Sequence, residues 1–185
     1  MIEELRERKQ AFEEQLSQQN QRLWDVLLFL TLFTVLAAPL YLLLWQGWNP
    51  VWLRELNATV ASQLLGLVGL DTAHSGPYLA AEHLTVNVST DSTGWKSMIA
   101  VVGLVLAVRG EAARKRLIGI LGGVVIVVTG NLVRITSMVY AVEVLQMDYA
   151  FIHTFLWRWG LTFLVFGYWV LWLRWDGDLP DRPKL

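Results

Sequence analysis

The chain has 185 residues, of which 55% are hydrophobic and ten are tryptophan, and its formal net charge is −1. A near-neutral chain without a basic stripe shows no sign of binding nucleic acid. The absence of cysteine excludes disulfides, thiolate metal sites and a thiol nucleophile in the chain as written.

Four long apolar blocks dominate the rest of the chain. A helix of about 20 apolar residues crosses a bilayer core of about 30 Å, so these blocks predict an all-α membrane protein built as a four-transmembrane-helix bundle. The blocks share one transmembrane domain (23–175), with spans at 24–45, 92–108, 117–145 and 151–173. A charged N-terminal segment (1–22) precedes the domain, an insertion (46–91) interrupts it, and a polar tail (176–185) follows it. Segment 1–22 mixes acids and bases, so it is interpreted as an exposed or amphipathic helix and not as a signal peptide.

The insertion shows two different patterns. Residues 56–70 are apolar at helical spacing but are too rich in small polar residues for a span, which predicts an interfacial or re-entrant helix. Residues 71–82 look turn-rich. Leu84, Val86 and Val88 then alternate with polar residues, which predicts a short β element. The change of pattern just before Ser92 suggests a lid over a site.

Basic residues near the span ends predict the orientation. The loop 109–116 carries four basic residues and one acid, whereas the insertion carries only Arg54 and residues 146–150 carry none. Positive residues collect on the cytoplasmic side. We therefore expect loop 109–116 and both termini in the cytoplasm and the insertion outside the cell membrane.

Polar residues at membrane depth are costly and usually mark function. Asn131 and Arg134 lie three apart on one face of the third span. Counted from the cytoplasmic edge at 1.5 Å per residue, Ser92, Arg134 and His153 reach heights of about 25, 27 and 31 Å. Three spans thus carry polar groups to one height at the outer boundary, and this placement disfavours a transporter with a midplane site.

Acyl transfer is the chemistry that such a trio suits. Ser92 would be the nucleophile and His153 its general base. Arg134 cannot lose its proton readily, so we expect it to stabilise an oxyanion or to hold a substrate carbonyl. Asn131 would orient Arg134 or His153.

The start of the second span would assist. With Ser92 in its first helical turn, the N–H groups of Thr93 and Gly94 and the helix dipole would favour developing negative charge. Arg158, in the fourth span, either contacts substrate or is a structural, snorkelling arginine. Structural alternatives stay open for the trio as well: Ser92 as a helix cap, His153 as an interfacial histidine and Arg134 as part of a structural pair.

A metal site is the weakest interpretation of the polar residues. Asp71, His74, Glu82 and His83 all lie in the insertion, but their spacing matches no strong ligand pattern. We therefore predict neither a metal nor a cofactor.

Three short motifs carry a resemblance to a known family. DSTGWKS at a helix start, GNLVRI in the next span and a histidine opening the following span resemble the exosortase/archaeosortase family over about residues 84–160. In that family a cysteine stands in a Cys-Ser/Thr-Gly context at the Ser92 position. An arginine in an Asn-x-x-Arg setting corresponds to Arg134, and a downstream histidine corresponds to His153.

The resemblance implies a protease-like transpeptidase in the cell membrane. Its partners would be membrane proteins that bear a C-terminal sorting signal made of a short motif, a transmembrane helix and a basic tail. Cleavage near the motif would transfer the new carboxyl terminus to a membrane lipid or another surface acceptor.

The chain departs from the family pattern in two ways. It has fewer spans than many members, so it would be a near-minimal core. Serine replaces the cysteine at position 92, which leaves three explanations: an inactive form engineered from cysteine, a natural serine enzyme, or a non-catalytic relative. The competing functional hypothesis is a non-enzymatic assembly factor or lipid- or peptide-binding protein.

Overall fold

The computed structural model describes the backbone of residues 2–175, so the predicted tail lies outside it. The side chains outside this description are those of residues 2–16, 19, 41, 44, 149–151 and 153–158. The described elements, in chain order, are α1 (Ile2–Trp45), α2 (Val51–Leu67), β1 (Ala73–Ser75), β2 (Tyr78–Ala80), β3 (Thr85–Asn87), a 3₁₀-helix (Thr90–Thr93), α3 (Trp95–Ala107), α4 (Ala113–Glu143) and α5 (Tyr149–Arg174). The predicted mostly helical fold with a small β element is confirmed.

Two of the described segments are long and apolar enough to cross a membrane. They are Asn20–Leu40 within α1 and the whole of α4, and each contains an 18-residue stretch with a mean hydropathy of 2.0. Helix α3 has 13 residues and extends about 20 Å, which is less than a bilayer core of about 30 Å. The segment Trp159–Arg174 of α5 is also apolar but shorter than a span. The count of four spans therefore stays a prediction.

Helix α1 runs without a break from the charged N-terminal segment through the predicted first span. Its two span hydroxyls are satisfied within the helix, because Thr31 and Thr34 donate to the carbonyls of Leu27 and Leu30 at 2.8 Å each. Internal partners of this kind suit a helix in lipid, where no water is present to accept the bonds.

Helix α4 begins at Ala113, four residues before the predicted start of the third span. Lys115, which we expected in a cytoplasmic loop, is only 3% exposed. Its ammonium group lies 2.8 Å from Glu111 Oε1 and 5.2 Å from the centre of the Trp172 ring. These contacts explain why the helix can extend into the basic segment.

The insertion is more ordered than its sequence suggested. Helix α2 starts directly after Pro50, earlier than predicted, and one stripe of it is buried. The prediction of a turn-rich stretch at 71–82 is wrong in part, because β1 and β2 form a hairpin there and pair antiparallel with β3 in the order β1-β2-β3. Leu79 lies opposite Val86, and both side chains are buried. The sequences of β1 and β2 contain no β-branched residue, unlike that of β3, and Gly76 and Pro77 between them indicate a turn.

Two apolar cores lie along the molecule. The insertion core joins α2 and the sheet to the second half of α4 and the start of α5, through Ala58, Ala61, Leu65, Leu79, Val86, Val88, Ile135, Met138, Val139 and Ile152. The bundle core joins α3, α4 and α5 through Val101, Leu104, Val127 and Val165. The 3₁₀-helix contacts α2, α3 and α4, so it lies where the two parts meet.

Candidate active site

Ser92 lies in the 3₁₀-helix, and not in the first turn of α3 as predicted. Its N–H donates to the Ser89 carbonyl at 2.9 Å, and the Thr93 hydroxyl donates to the Thr90 carbonyl at 2.8 Å. Gly94 then adopts φ = +77°, a left-handed conformation that favours glycine, and serves as the N-cap of α3. The structure therefore separates the Ser92 turn from the helix that follows it, and Ser92 does not cap α3.

The Ser92 side chain is held by another hydroxyl. Its Oγ lies 2.6 Å from Ser89 Oγ, and either oxygen can donate the proton. Ser92 is only 2% exposed. Ser89 is the N-cap residue of the 3₁₀-helix, without a capping side-chain bond.

Two side chains of α4 converge on the main chain of Ser92. Asn131 Nδ2 donates to the Ser92 carbonyl at 2.9 Å, and Arg134 Nη2 donates to the same oxygen at 3.2 Å. Asn131 is fully buried and Arg134 is 7% exposed. Residues three apart share a helix face, which is why both reach one carbonyl. The structure thus brings together three of the residues singled out from the sequence.

Asn57 is a member of this cluster that sequence reasoning missed. Its Oδ1 accepts a hydrogen bond from Asn131 Nδ2 at 3.0 Å, and its own Nδ2 donates to the Leu53 carbonyl at 2.8 Å. The signal was an amide within the otherwise small and apolar buried stripe of α2. A buried amide needs hydrogen-bond partners, so an asparagine in such a stripe indicates a polar contact with another element.

Gly94 has a second role beside its backbone conformation. A Cβ at this position would lie 3.2 Å from Asn131 Cγ. Glycine therefore lets Asn131 approach the turn closely. The oxyanion role expected for the N–H groups of Thr93 and Gly94 stays a prediction.

Arg54 ties the insertion to the segment that leads into Ser92. It donates from Nε to the Val88 carbonyl at 2.8 Å, from Nη2 to Asn87 Oδ1 at 2.8 Å and from Nη1 to Asn49 Oδ1 at 3.3 Å. Thr90 Oγ1 also donates to Asn49 Oδ1, at 2.6 Å. Two of these bonds hold the approach to Ser92 against α2, and the bond from Thr90 holds it to Asn49, just before α2.

His153 and Arg158 lie on α5, but their side chains are outside the described residues. The backbone position of His153 can still be related to the cluster. The preceding residue, Ile152, packs in the insertion core together with Ile135, which follows Arg134 on α4. The start of α5, next to His153, thus enters the same apolar core as the residue that follows Arg134 in α4.

The residues considered for a metal site are engaged elsewhere or scattered. His83 donates its backbone N–H to Glu143 Oε1 at 3.0 Å, and its Nδ1 lies 3.1 Å from Glu143 Oε2. The contact pins the β2–β3 connection to the C-terminal end of α4. Among the residues whose side chains are described, no three histidine or acidic side chains lie close enough together to hold a metal ion.

Comparison with known proteins gives one match. The family model described as Transmembrane exosortase (Exosortase_EpsH) matches residues 17–175, which is most of the chain. No curated protein and no solved structure matches it. The matched range contains the insertion and all the residues of the cluster around Ser92.

Proposed function

The chain belongs to the transmembrane exosortase family, and from that premise we propose that it is a membrane-embedded transpeptidase with Ser92 at the nucleophile position. Its substrates are membrane proteins with a C-terminal sorting signal that consists of a short motif, a transmembrane helix and a basic tail. The protein cleaves near the motif and transfers the new carboxyl terminus to a membrane lipid or another surface acceptor.

The observation that carries this proposal is the convergence of Asn131 and Arg134 on the Ser92 carbonyl, at 2.9 and 3.2 Å. The buried guanidinium group of Arg134 donates to the main-chain carbonyl of the residue that bears the hydroxyl, although the two residues are 42 positions apart in the chain. A fixed cation next to a nucleophile is what a reaction with a developing oxyanion requires.

The proposed reaction has two balanced halves. Ser92 Oγ attacks the scissile carbonyl carbon and its proton passes to His153, while Arg134 stabilises the oxyanion. Collapse of this intermediate breaks the C–N bond, and His153 returns the proton to the leaving amine. A nucleophilic group of the acceptor then attacks the ester carbonyl, and Ser92 leaves with the proton that the acceptor loses. A serine hydroxyl is far less acidic than a thiol, so His153 acts as a true general base.

Access to Ser92 requires movement, since its side chain is 2% exposed. The insertion (46–91) is proposed as the lid. Its helix and sheet pack on the second half of α4 through the insertion core, and Arg54 holds the strand-to-turn connection in front of Ser92. Opening the lid would expose the hydroxyl to an incoming chain.

The test is co-expression with a candidate tagged substrate. Processing is compared for the chain with Ser92 and for the variants Ser92→Cys, Ser92→Ala and His153→Ala. If the native residue is cysteine, Ser92→Cys restores processing and a thiol reagent then blocks it, because the chain has no other thiol. If serine is native, Ser92→Ala abolishes processing. Full processing by both Ser92→Ala and His153→Ala, where the Ser92 or Ser92→Cys form is active, contradicts the proposal.

A second candidate is binding of lipid or peptide without catalysis. It is favoured by an apolar groove of about 830 Å³ in the part of the molecule where α2 and the second half of α4 meet. The groove is lined mainly by α2 and α4, including Leu65, Val133, Ser137 and Tyr140. Under this alternative, Ser92→Ala keeps the biological function of the parent, whereas substitutions in the groove remove it.

Orientation is part of the proposal. Loop 109–116 and both termini are assigned to the cytoplasm, and the insertion to the outside. The cysteine-free chain allows a direct test with single cysteines introduced at exposed positions, Ala113→Cys for the cytoplasmic side and His74→Cys for the outside. An impermeant thiol reagent should label only the second in intact cells, and labelling of the first overturns the orientation.

A further inference from the structure

We propose that Asn57 is a positioning residue, whose side-chain amide fixes the orientation of Asn131 and thereby holds the Ser92 carbonyl in place. This inference rests on the proposed function, because it assigns a role within the same site. It concerns a residue of the insertion, which otherwise contributes packing and the Arg54 contacts to that site.

The orientation of the Asn57 amide is set within its own helix. Its Nδ2 donates to the Leu53 carbonyl at 2.8 Å, so its Oδ1 is the atom that faces Asn131. Asn57 is 8% exposed and lies on the buried stripe of α2 with Ala58 and Ala61. An amide in that setting does not turn freely, because reversing it would place an oxygen against the Leu53 carbonyl.

Asn57 in turn sets the amide of Asn131. Both hydrogens of Asn131 Nδ2 are used, one by Asn57 Oδ1 at 3.0 Å and one by the Ser92 carbonyl at 2.9 Å. A reversed Asn131 amide would point an oxygen at two acceptors at once. The chain of bonds from Leu53 through Asn57 and Asn131 therefore ends in a donor aimed at Ser92.

The other end of the Asn131 amide shows how firmly this orientation is imposed. Within the described part of the chain, the buried Asn131 Oδ1 accepts no hydrogen bond. It lies beside Gly94, 3.5 Å from the position that a Cβ would take there. Leaving a buried acceptor unsatisfied is unfavourable, so the two donor contacts must decide the orientation.

The arrangement matters because Ser92 is not part of a regular α-helix. Its turn has four residues and is separated from α3 by Gly94, so side-chain bonds to its carbonyl restrain it. Without Asn57 Oδ1, the Asn131 amide can rotate away and Ser92 loses one of its two donors. A displacement of about 1 Å at a reacting group can lower a rate by about 100-fold.

The experiment uses the full chain in detergent micelles and measures backbone amide exchange by mass spectrometry at residues 90–97. Asn57→Leu removes the amide with little change in size. Thr59→Val is the matched control, because the Thr59 hydroxyl lies on the same helix and donates only to the Glu55 carbonyl, at 2.9 Å. We expect Asn57→Leu to raise exchange at 90–97 by at least about tenfold, with Thr59→Val close to the parent.

Two further variants separate positioning from general stability. Asn57→Gln keeps an uncharged amide that can still accept from Asn131, so exchange at 90–97 should rise less than in Asn57→Leu, and this variant also serves if Asn57→Leu fails to fold. The double variant Asn57→Leu/Asn131→Leu should match Asn131→Leu alone, because Asn57 acts through Asn131. Processing of a tagged substrate, where measured, should fall in parallel with the exchange.

The outcomes are distinguishable from those that test the proposed function. Exchange at 90–97 that matches the control, or effects of Asn57→Leu and Asn131→Leu that simply add, overturns the positioning role. If neither the Ser92 form nor the Ser92→Cys form processes substrate, that counts against the transpeptidase proposal. The exchange measurement still tests the positioning role, because it does not depend on processing. Faster exchange together with unaltered processing by an active form removes the link between Asn57 and the reaction.

Discussion

The two halves of α4 each bury a cation, Lys115 in the first turn and Arg134 in the second half, and they do so in different ways. In the Lys115 cluster (Glu111, Lys115 and Trp172), the ammonium group pairs with a carboxylate four residues earlier, at 2.8 Å, and lies over an aromatic ring. Trp172 Nε1 also donates to the Lys115 carbonyl at 3.1 Å. Glu111 neutralises the charge of Lys115 locally, so the first turn of α4 can bury this lysine.

The Ser92 cluster (Asn57, Ser92, Asn131 and Arg134) is built from three separate elements. Its bonds join residues 39, 42 and 74 positions apart in the chain. The guanidinium group meets the main chain of a turn that bears a hydroxyl, and Arg rather than Lys suits such a contact because its planar fork can serve several acceptors. The difference lies in the charge partners: Lys115 has a carboxylate four residues away, whereas Arg134 donates to the main chain of a separate element, and we therefore propose a chemical role for Arg134 and not for Lys115.

The largest effect expected from this comparison is on processing. Arg134→Ala should lower the rate by about 10²–10³-fold, as is typical for removal of one oxyanion donor, while the protein still folds. Arg134→Lys should restore little, since a point charge does not replace the fork. The measurement is the rate of substrate processing at equal amounts of folded protein.

The control for Arg134 is Lys115, the buried cation at the start of the same helix. The double variant Lys115→Met/Glu111→Gln removes that ion pair together, and replacing a buried pair by neutral groups is often harmless to stability. It should process substrate at nearly the parental rate. An equal loss of processing in the Arg134 variant and in the Lys115/Glu111 variant would mean that both sites only support the bundle, and Arg134 would then have no special role.

The second effect concerns two glycines with almost the same backbone. Gly94 has φ = +77° and Gly110 has φ = +78°, but only at Gly94 would an added Cβ meet a neighbour, Asn131, within 4 Å. Alanine at either position is strained by about 1–3 kcal/mol. Gly94→Ala should lose a further 1 kcal/mol or so, because Asn131 must move.

Thermal unfolding in detergent measures the stability of both glycine variants, and processing is measured beside it. Gly110→Ala should keep processing, whereas Gly94→Ala should reduce it because the Asn131 contact with Ser92 is disturbed. Equal stability losses for the two variants would show that only the backbone strain at positive φ affects stability, and that the close approach of Asn131 to the turn does not.

Much of this contrast was visible in the sequence. The spacing of Asn131 and Arg134 indicated one helix face, and both side chains reach the Ser92 carbonyl. Counting at 1.5 Å per residue put Ser92 and Arg134 at one height, and the structure brings them together, although the count assumed a helix that includes Ser92, whereas α3 starts at Trp95. Common membrane depth stays a prediction.

Other features depend on packing between distant segments and could not be counted. Asn57 and Asn131 are 74 positions apart, so no local pattern links them. The burial of Lys115 requires Trp172 from another helix, and the turn before α3 depends on the φ of Gly94. The hairpin of β1 and β2 was missed because its strands contain no β-branched residue and are joined by Gly76 and Pro77, which indicate only a turn.

A third and smaller effect tests whether a packing change in α4 away from the Ser92 cluster alters processing. A Cβ on Gly123 would lie 2.7 Å from Val101 Cγ2 and 2.9 Å from Tyr168 Cε1, midway between the two clusters. Gly123→Ala should therefore lower stability by about 1–3 kcal/mol. It should leave processing by the folded protein close to the parent, because no residue of the Ser92 cluster is touched.

Gly66 of α2 provides the matched glycine for this test. It lies within a helix, and an added Cβ there would meet nothing within 4 Å, so Gly66→Ala should be neutral or stabilise by up to about 1 kcal/mol through its helix propensity. A Gly123→Ala protein that is stable but inactive would show that the Ser92 cluster depends on the bundle core more than its own contacts suggest.

The smallest effect is expected at Lys96, the cation nearest to Ser92 in the sequence. Its ammonium group lies 2.7 Å from Asp91 Oδ1, but the two side chains are 40% and 64% exposed. Exposed pairs contribute about 0–1 kcal/mol and are screened by salt, so Lys96→Met should change the unfolding midpoint little, and less still near 1 M salt, where the Debye length is about 3 Å. Processing should stay near the parental rate. A loss as large as that of Arg134→Ala would mean that positive charge near the turn is sufficient, and the geometric argument for Arg134 would then lose its force.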